Sequence, residues 1–110
     1  MRDLERVLKA ISDKNRLRIL MLLKMRKMCV CEFSAILGIT QPSVSKHLKK
    51  LISSGLIGSQ QDHFWTNYYL KKEHVYAVRL LSCLGKWLGK EGLIKRDLKK
   101  QKTIDRRTCT

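Results

Sequence analysis

The sequence predicts a mainly α-helical protein with one small β-hairpin, and three features carry that prediction. Apolar residues recur at helical spacing through the first 25 residues and again after residue 72. Residues 33–55 contain two short amphipathic patterns joined by a tight turn. Residues 56–70 combine aromatic and β-branched residues around a short polar tip, as hairpins do. The order of elements is therefore ααααββα, which is a winged helix-turn-helix.

The first two helices are predicted from their apolar residues. The first dozen residues place one apolar stripe on a helix, at i, i+3, i+4 and i+7. This stripe consists of Leu4, Val7, Leu8 and Ile11. Ser12 and Asp13 then mark a break and a helix cap. Residues 15–25 are apolar almost all round from Leu17 onward, so they predict the central helix of the core.

The third and fourth helices, within residues 33–55, form the helix-turn-helix. Gly38 can adopt positive φ just past the end of the third helix. Thr40 is the predicted N-cap of the fourth helix, and Pro42 lies in its first turn, where a missing N–H costs nothing. The outward face of the fourth helix carries hydroxyl and ammonium groups, which suit base edges and phosphates. The candidate DNA contacts are Gln41, Ser43, Ser45, Lys46, His47, Lys49 and Lys50. An ordinary amphipathic helix with a solvated lysine face is the alternative.

The hairpin after residue 55 is predicted to be the wing. Its tip falls at Asp62 and His63, and its far strand begins with Trp65. A wing usually lies along the phosphate backbone or the minor groove while the second helix of the motif enters the major groove. His63 is therefore the candidate for a phosphate contact at the tip.

The chain becomes helical again after residue 72, with an apolar face that is too broad for one neighbour. A C-terminal helix of this kind can cover its own core and still present apolar area to a second subunit. We therefore expect a homodimer formed through the outer helices, which supplies two recognition helices for two DNA half-sites. The candidate interface residues are Leu4, Val7, Leu8, Leu80, Leu84, Trp87 and Leu88.

Length and charge fit one basic domain that binds a polyanion. The chain has 110 residues and a formal net charge of +15, which favours nucleic acid over a membrane surface as its partner. We expect residues 1–92 to form the DNA-binding and dimerisation domain and residues 93–110 to be a basic, mobile tail. No apolar run is long enough for a membrane span and no apolar N-terminal segment argues for export, so we expect a cytoplasmic protein.

The cysteines are candidates for metal or redox chemistry. They are Cys29, Cys31, Cys83 and Cys109, and they lack the density of a secreted disulfide scaffold, so we expect thiols in a reducing cytosol. In a continuous helix, residues i and i+2 point about 200° apart. A metal bound to both Cys29 and Cys31 would then have to unwind or reorient the start of the third helix. Two thiols that only fill space are the alternative.

Three segments resemble the ArsR/SmtB family of metal-sensing winged-helix repressors. Residues 13–20, DKNRLRIL, are similar to part of that family's second helix, although Lys14 stands where proline is common. Residues 41–51, QPSVSKHLKKL, resemble its recognition helix nearly residue for residue. Residues 29–33, CVCEF, resemble the thiol motif of its arsenic-responsive branch, and Ser34 occupies the position of that motif's third cysteine.

The resemblance implies a DNA-binding transcriptional repressor that leaves its operator when arsenite or antimonite binds. As(III) or Sb(III) would be the inducer, with no catalytic cofactor. Cys29 and Cys31 would supply the first two sulfur ligands. Because Ser34 replaces the third cysteine, the third sulfur would come from Cys109, from Cys83 or from a small-molecule thiol, with Cys109 preferred.

A thiol redox switch is the main alternative, with Cys29 or Cys31 as the oxidised residue. The basic neighbours Arg26 and Lys27 would lower the pKa of such a thiol. An inducer-independent winged-helix transcription factor, or a module that binds a protein partner, is a further alternative. We do not expect an enzyme, because no Ser/His/Asp arrangement, paired carboxylates or phosphate-binding glycine loop is present. Zinc is a poorer candidate than arsenite, since the histidines are scattered and His74 is expected to be structural or exposed.

Overall fold

The computed structural model has the predicted order of elements, with one further helix at its C-terminal end. The structure describes residues 1–73 and 76–107, and these residues form six helices and one two-stranded antiparallel sheet. The helices are α1 (Arg2–Ala10), α2 (Lys14–Leu23), α3 (Val30–Leu37), α4 (Gln41–Ser53), α5 (Ala77–Leu88) and α6 (Gly92–Gln101), and the strands are β1 (Ile57–Asp62) and β2 (Trp65–Leu70). The predicted winged helix-turn-helix is confirmed. No helix in the described part of the chain has the length and apolar content needed to cross a bilayer.

Helix α2 is the central helix of the core, as predicted. Ile19 and Leu20 are fully buried, and the helix packs against α3, α4, α5, α6 and β2. The Asp13 carboxylate caps the helix by accepting hydrogen bonds from the backbone N–H groups of Asn15 and Arg16. These N–H groups have no partner within the helix, and a negative charge at this end also complements the helix dipole.

The helix-turn-helix is formed by α3 and α4. Gly38 follows α3 with a φ of +73°, a left-handed conformation that residues with a Cβ rarely adopt. The Ser34 hydroxyl donates a 2.6 Å hydrogen bond to the carbonyl oxygen of Ile39, within the turn. The Thr40 hydroxyl oxygen then accepts a 3.3 Å hydrogen bond from the backbone N–H of Ser43. Both sides of the turn are therefore fixed, so α3 and α4 form one unit.

The wing, formed by β1 and β2, is joined to the segment that precedes α3. Met28 and Tyr68 exchange backbone hydrogen bonds of 3.1 and 2.7 Å and form an isolated β-bridge. The Met28 side chain is fully buried, so this connection is shielded from water. Because Cys29 follows Met28 directly, one stretch of backbone supports both the wing and the first cysteine.

Helix α6 corrects the expectation of a mobile tail from residue 93. Residues 92–101 are helical, and their buried side chains are Ile94, Asp97 and Gln101. Arg18 of α2 donates hydrogen bonds of 2.8 and 2.9 Å to the two carboxylate oxygens of Asp97. Gln101 Nε2 donates a 2.8 Å hydrogen bond to the carbonyl oxygen of Leu22. The many lysines suggested a solvated segment, but they lie on the outer face of a helix whose inner face packs on α2 and α3.

The predicted dimer residues divide into two groups. Val7 and Leu84 are buried within the core of the protomer itself, so their side chains add little to its free surface. Leu4, Leu80 and Leu88 are partly exposed, whereas Leu8 and Trp87 are exposed. The indole of Trp87, 68% exposed on α5, is the largest apolar group of this predicted interface.

Candidate DNA interface and cysteine site

The outer face of α4 presents most of the predicted DNA contacts to solvent. Its inner side is anchored by Val44, Leu48 and Leu51, which are buried in the core. The exposed residues of the opposite side are Gln41, Ser45, Lys46, Lys49 and Lys50, and Ser43 is partly exposed. The residues at the N-terminal end of such a helix reach base edges most easily, while lysines further along it suit phosphates.

His47 differs from the other predicted contacts because it lies against α2. Its Nδ1 is 3.2 Å from an Arg16 guanidinium nitrogen and 3.9 Å from Asp13, and its side chain is only 17% exposed. Burial lowers the pKa of His47, and the charges of Arg16 and Lys50 lower it further against the opposing effect of Asp13. A neutral imidazole can accept the guanidinium N–H at Nδ1. His47 therefore connects α4 to the start of α2.

The wing tip carries an exposed histidine and an ion pair that the sequence did not suggest. His63 adopts a φ of +55° at the tip, and its side chain is exposed. Arg106 donates a 2.8 Å hydrogen bond to the Asp62 carboxylate, and its guanidinium carbon lies 4.4 Å from the centre of the Trp65 ring. Hydrogen bonding to Arg106 lowers the pKa of Asp62. Arg106 thereby neutralises an acidic group beside the surface that would face phosphates.

The two cysteines before and within α3 lie close together without any unwinding of the helix. The Sγ atoms of Cys29 and Cys31 are 3.4 Å apart. Cys29 is the N-cap residue, with an extended backbone at φ −102° and ψ 169°, and only Cys31 is within the helix. The two side chains do not diverge as they would at helical i and i+2 positions, because only Cys31 has helical geometry.

The surroundings of the pair come from distant parts of the chain. The backbone N–H of Cys29 donates a 3.0 Å hydrogen bond to Glu32, and Glu32 also accepts a 2.8 Å bond from Arg26. Arg26 donates further bonds to the carbonyl oxygens of Gln101 and Ile104. This ion-paired network connects the start of α3 to the chain that follows α6. A glutamate three residues after an N-cap is a recognisable capping signal, so the capping role of Glu32 could have been predicted from the sequence.

The sulfur chemistry of the site depends on its burial and oxidation state. Cys29 is a buried free thiol, and burial raises its pKa. Cys31 is disulfide-bonded in this structure, and its Sγ lies 4.0 Å from the Arg106 carbonyl oxygen. Cys83 is free and half-buried on α5, and the predicted ligand Cys109 lies outside the described residues, as does His74. Among the residues that are described, no group of three or more His, Cys, Asp or Glu side chains could hold a metal ion.

Comparison with known proteins identifies the family. Residues 13–59 match the family described as bacterial regulatory protein, arsR family. The arsenical resistance operon repressor of Bacillus subtilis is 38% identical over 79 residues, which cover 71% of this chain and 75% of the repressor. The chain belongs to the ArsR family. The family and the fold are those of DNA-binding transcriptional regulators, and this ArsR-family protein is a transcriptional repressor.

Solved structures agree with this assignment. HlyU from Vibrio cholerae superimposes with a TM-score of 0.73 at 25% identity, covering 80% of this chain and 94% of HlyU. A homodimeric winged helix-turn-helix DNA-binding domain from Mycobacterium bovis, described as a possible ArsR-family transcriptional regulator, gives a TM-score of 0.70 at 25% identity and covers 80% of both chains. The ArsR-family protein thus shares its fold with a DNA-binding domain that is a homodimer.

Proposed function

We propose that this ArsR-family protein represses transcription as a homodimer and is released from its operator by arsenite or antimonite bound to Cys29 and Cys31. The observation that carries the proposal is the 3.4 Å separation of the two sulfur atoms. Trivalent arsenic and antimony are soft, and thiolate sulfur is the soft ligand that proteins supply. The name of the similar Bacillus subtilis repressor, which refers to arsenical resistance, supports the same inducer.

Two sulfurs from this chain leave one position for a third sulfur ligand. Ser34 cannot supply it, and its hydroxyl already donates to Ile39 in the turn. The candidates are Cys109, Cys83 and a small-molecule thiol, of which we favour Cys109. The third ligand should set the affinity for arsenite more than the response, because the pair alone reaches the start of α3.

Release would follow from the position of the pair at the N-terminus of α3. Each sulfur–metalloid bond would replace one hydroxide of the arsenite or antimonite, and the proton of the buried Cys29 thiol would leave with that hydroxide as water. A metalloid atom held by both sulfurs would act on the residue whose backbone N–H donates to Glu32, and it would strain this cap. Helix α3 passes any shift to α4 through the short turn at Gly38. The base contacts we assign to α4 would then lose their register on the DNA.

The DNA contacts in this proposal divide by position on the protein. Gln41, Ser43, Ser45 and Lys46 would face base edges in the major groove, with His47 at the margin because it packs on α2. Lys49, Lys50 and His63 would contact phosphates. Two protomers would place two α4 helices on the half-sites of one operator, with Leu8 and Trp87 in the dimer interface. Operator binding of this kind takes place in the cytoplasm.

Titration with arsenite tests the proposal directly. A fluorescein-labelled duplex from the region upstream of the protein's own coding sequence serves as the DNA, and the protein is first reduced with a phosphine because Cys31 is disulfide-bonded. Arsenite should release the wild-type protein, whereas Cys29→Ser and Cys31→Ser should bind DNA normally and stay bound. Cys83→Ser is the matched control and should respond as the wild type does. Release of both pair variants at the wild-type arsenite concentration would show that the pair is not the sensor.

A thiol redox switch is a second candidate function, favoured by the disulfide at Cys31 and the free Cys29 sulfur beside it. In the reduced protein, a peroxide would oxidise the Cys29 and Cys31 thiols to a disulfide, taking two electrons and two protons and being reduced to water or an alcohol. Release of the DNA by peroxide in the absence of arsenite, and its reversal by a dithiol, would favour this function. Release by arsenite under reducing conditions would favour the metalloid sensor.

A further inference from the structure

A strongly basic groove runs between α1 and the recognition helix α4. Its volume is about 850 Å³. The cations that line it are Arg6 and Lys9 of α1, Arg16 of α2, and Lys49 and Lys50 of α4, with Ala10, Ser53 and Ser54 completing the lining. None of the lining residues is acidic. Only Lys49 and Lys50 were among the DNA contacts predicted from the sequence, so α1 adds cations that no motif suggested.

The floor of the groove is a buried cation whose hydrogen-bond partners are neutral. Arg16 is 8% exposed, and its guanidinium donates to the backbone carbonyls of Ala10 and Lys9 and contacts His47 Nδ1. Within the part of the chain that the structure describes, no carboxylate forms an ion pair with this guanidinium. Asp13 accepts from the backbone N–H of Arg16 instead. The Arg16 charge acts on Asp13 only from a distance, since it lowers the pKa of that carboxyl without a side-chain ion pair. Because five cations and no acidic residue line the groove, it has an excess of positive charge that an anion would offset.

His47 contacts the Arg16 guanidinium that forms the floor of the groove. Burial is the main cause that lowers the pKa of His47; the charge of Asp13 raises it, and the smaller effects of Arg16 and Lys50 lower it. Cations that resist protonation of a neighbouring imidazole also attract an anion to the same place. The positive potential of the groove therefore follows from its lining residues, and His47 lies beside two of these cations.

We propose that this groove holds the sugar-phosphate backbone of the DNA duplex that α4 reads, with Arg6 and Lys9 as additional phosphate contacts. Lys49 and Lys50 line the groove and are also on the outer face of α4. A DNA backbone that lies in the groove would therefore be part of the same duplex that α4 contacts. A duplex presents phosphates at regular spacing along its backbone, which suits a groove with cations on both walls. The proposal rests on DNA binding by α4 and needs no response to arsenite.

The test measures how DNA affinity depends on salt. Arg6→Ala/Lys9→Ala should weaken binding equally on all operator variants and reduce the slope of log K against log salt by about two units, because about one counterion is released per phosphate contact. Lys95→Ala/Lys99→Ala removes the same charge from the exposed face of α6 and is the matched control. Thermal unfolding by circular dichroism verifies that each variant is folded, and Arg6→Lys/Lys9→Arg should restore the slope. Equal slopes for the Arg6/Lys9 variant and its control would overturn the proposal.

A small phosphate compound could also supply the phosphate groups that the groove would bind. A binding experiment with pyrophosphate distinguishes this occupant from DNA. Tight binding of pyrophosphate to the wild-type protein without DNA, combined with an unchanged salt slope in the Arg6→Ala/Lys9→Ala variant, would overturn DNA as the occupant. After its thiols are reduced with a phosphine, the Arg6→Ala/Lys9→Ala variant should leave the DNA at the same arsenite concentration as the wild type. Another outcome is that arsenite releases neither the wild type nor the Arg6→Ala/Lys9→Ala variant while the salt slopes of this variant and its control still differ. That result would contradict the metalloid sensor and support the phosphate contacts.

Discussion

The outer face of α4 and the cysteine site differ in how many parts of the chain build them. The face of α4 comes from one helix of 13 residues, and most of its polar side chains point into solvent. The cysteine site combines the start of α3, the segment before it and the carbonyl groups at Gln101 and Ile104. A change on α4 should therefore act on DNA contacts one residue at a time. A change near the cysteines should affect several elements at once, which suits a site that must transmit the binding of an inducer.

The largest expected effect is on the docking of α6, which supports the cysteine site. Asp97→Ala leaves the Arg18 guanidinium nearly buried without its carboxylate, since both side chains are shielded from water. Removal of one partner of a buried ion pair costs about 3–5 kcal/mol, so the free energy of unfolding should fall by that amount. Urea unfolding provides the measurement.

Lys46→Ala on α4 is the matched comparison for Asp97→Ala, because it also removes a charge but from an exposed helical face. Its free energy of unfolding should change by no more than about 0.5 kcal/mol. Similar losses of unfolding free energy in Asp97→Ala and Lys46→Ala would contradict the proposed difference between the α4 face and the cysteine site.

A smaller effect is expected where the C-terminal segment contacts the wing. Arg106→Ala removes the hydrogen bond to Asp62 and the contact with Trp65, so the Asp62 pKa should rise towards its ordinary value. The stability change should be small, because both charged groups are partly exposed and water screens their interaction. Affinity for DNA should fall severalfold, since an unpaired carboxylate then lies beside the phosphates. Fluorescence anisotropy measures that affinity, and Lys102→Ala, an exposed cation in the same segment, should show less than half the loss.

The smallest expected effect concerns pH and His47, where the α4 face touches the rest of the fold. The pKa of His47 is lowered in the folded protein from an ordinary value of 6.5, so the unfolded chain binds more protons as the pH falls below 6.5. Wild-type stability should therefore decrease on acidification in that range, by less than about 1 kcal/mol from this residue. His47→Gln should lose less stability than the wild type between about pH 7.5 and about pH 5.5 in urea unfolding. Equal losses in both proteins would contradict the assigned environment of His47.

The helix-turn-helix and the outer face of α4 could be derived from the sequence because their determinants are local. Gly38, Thr40 and Pro42 mark the turn and the helix start within five residues, and apolar spacing separates the inner from the outer side of α4. The net charge of +15 indicated a polyanionic partner in the same way. The presence of a cysteine pair next to the motif was also readable without a structure.

The assembly around that motif was decided by tertiary contacts. The inner face of α6 is polar at Asp97 and Gln101, so hydrophobic spacing gave little signal, and its partners Arg18 and Leu22 lie 79 residues away in the sequence. Arg106 reaches the wing across 44 residues, and Arg16 reaches His47 across 31. The approach of the two cysteine sulfurs depended on where α3 begins, a boundary that its capping residues and the bridge from Met28 fix together. Patterns along the chain describe neighbours at helical or strand spacing, whereas ion pairs between distant residues form only once the elements have packed.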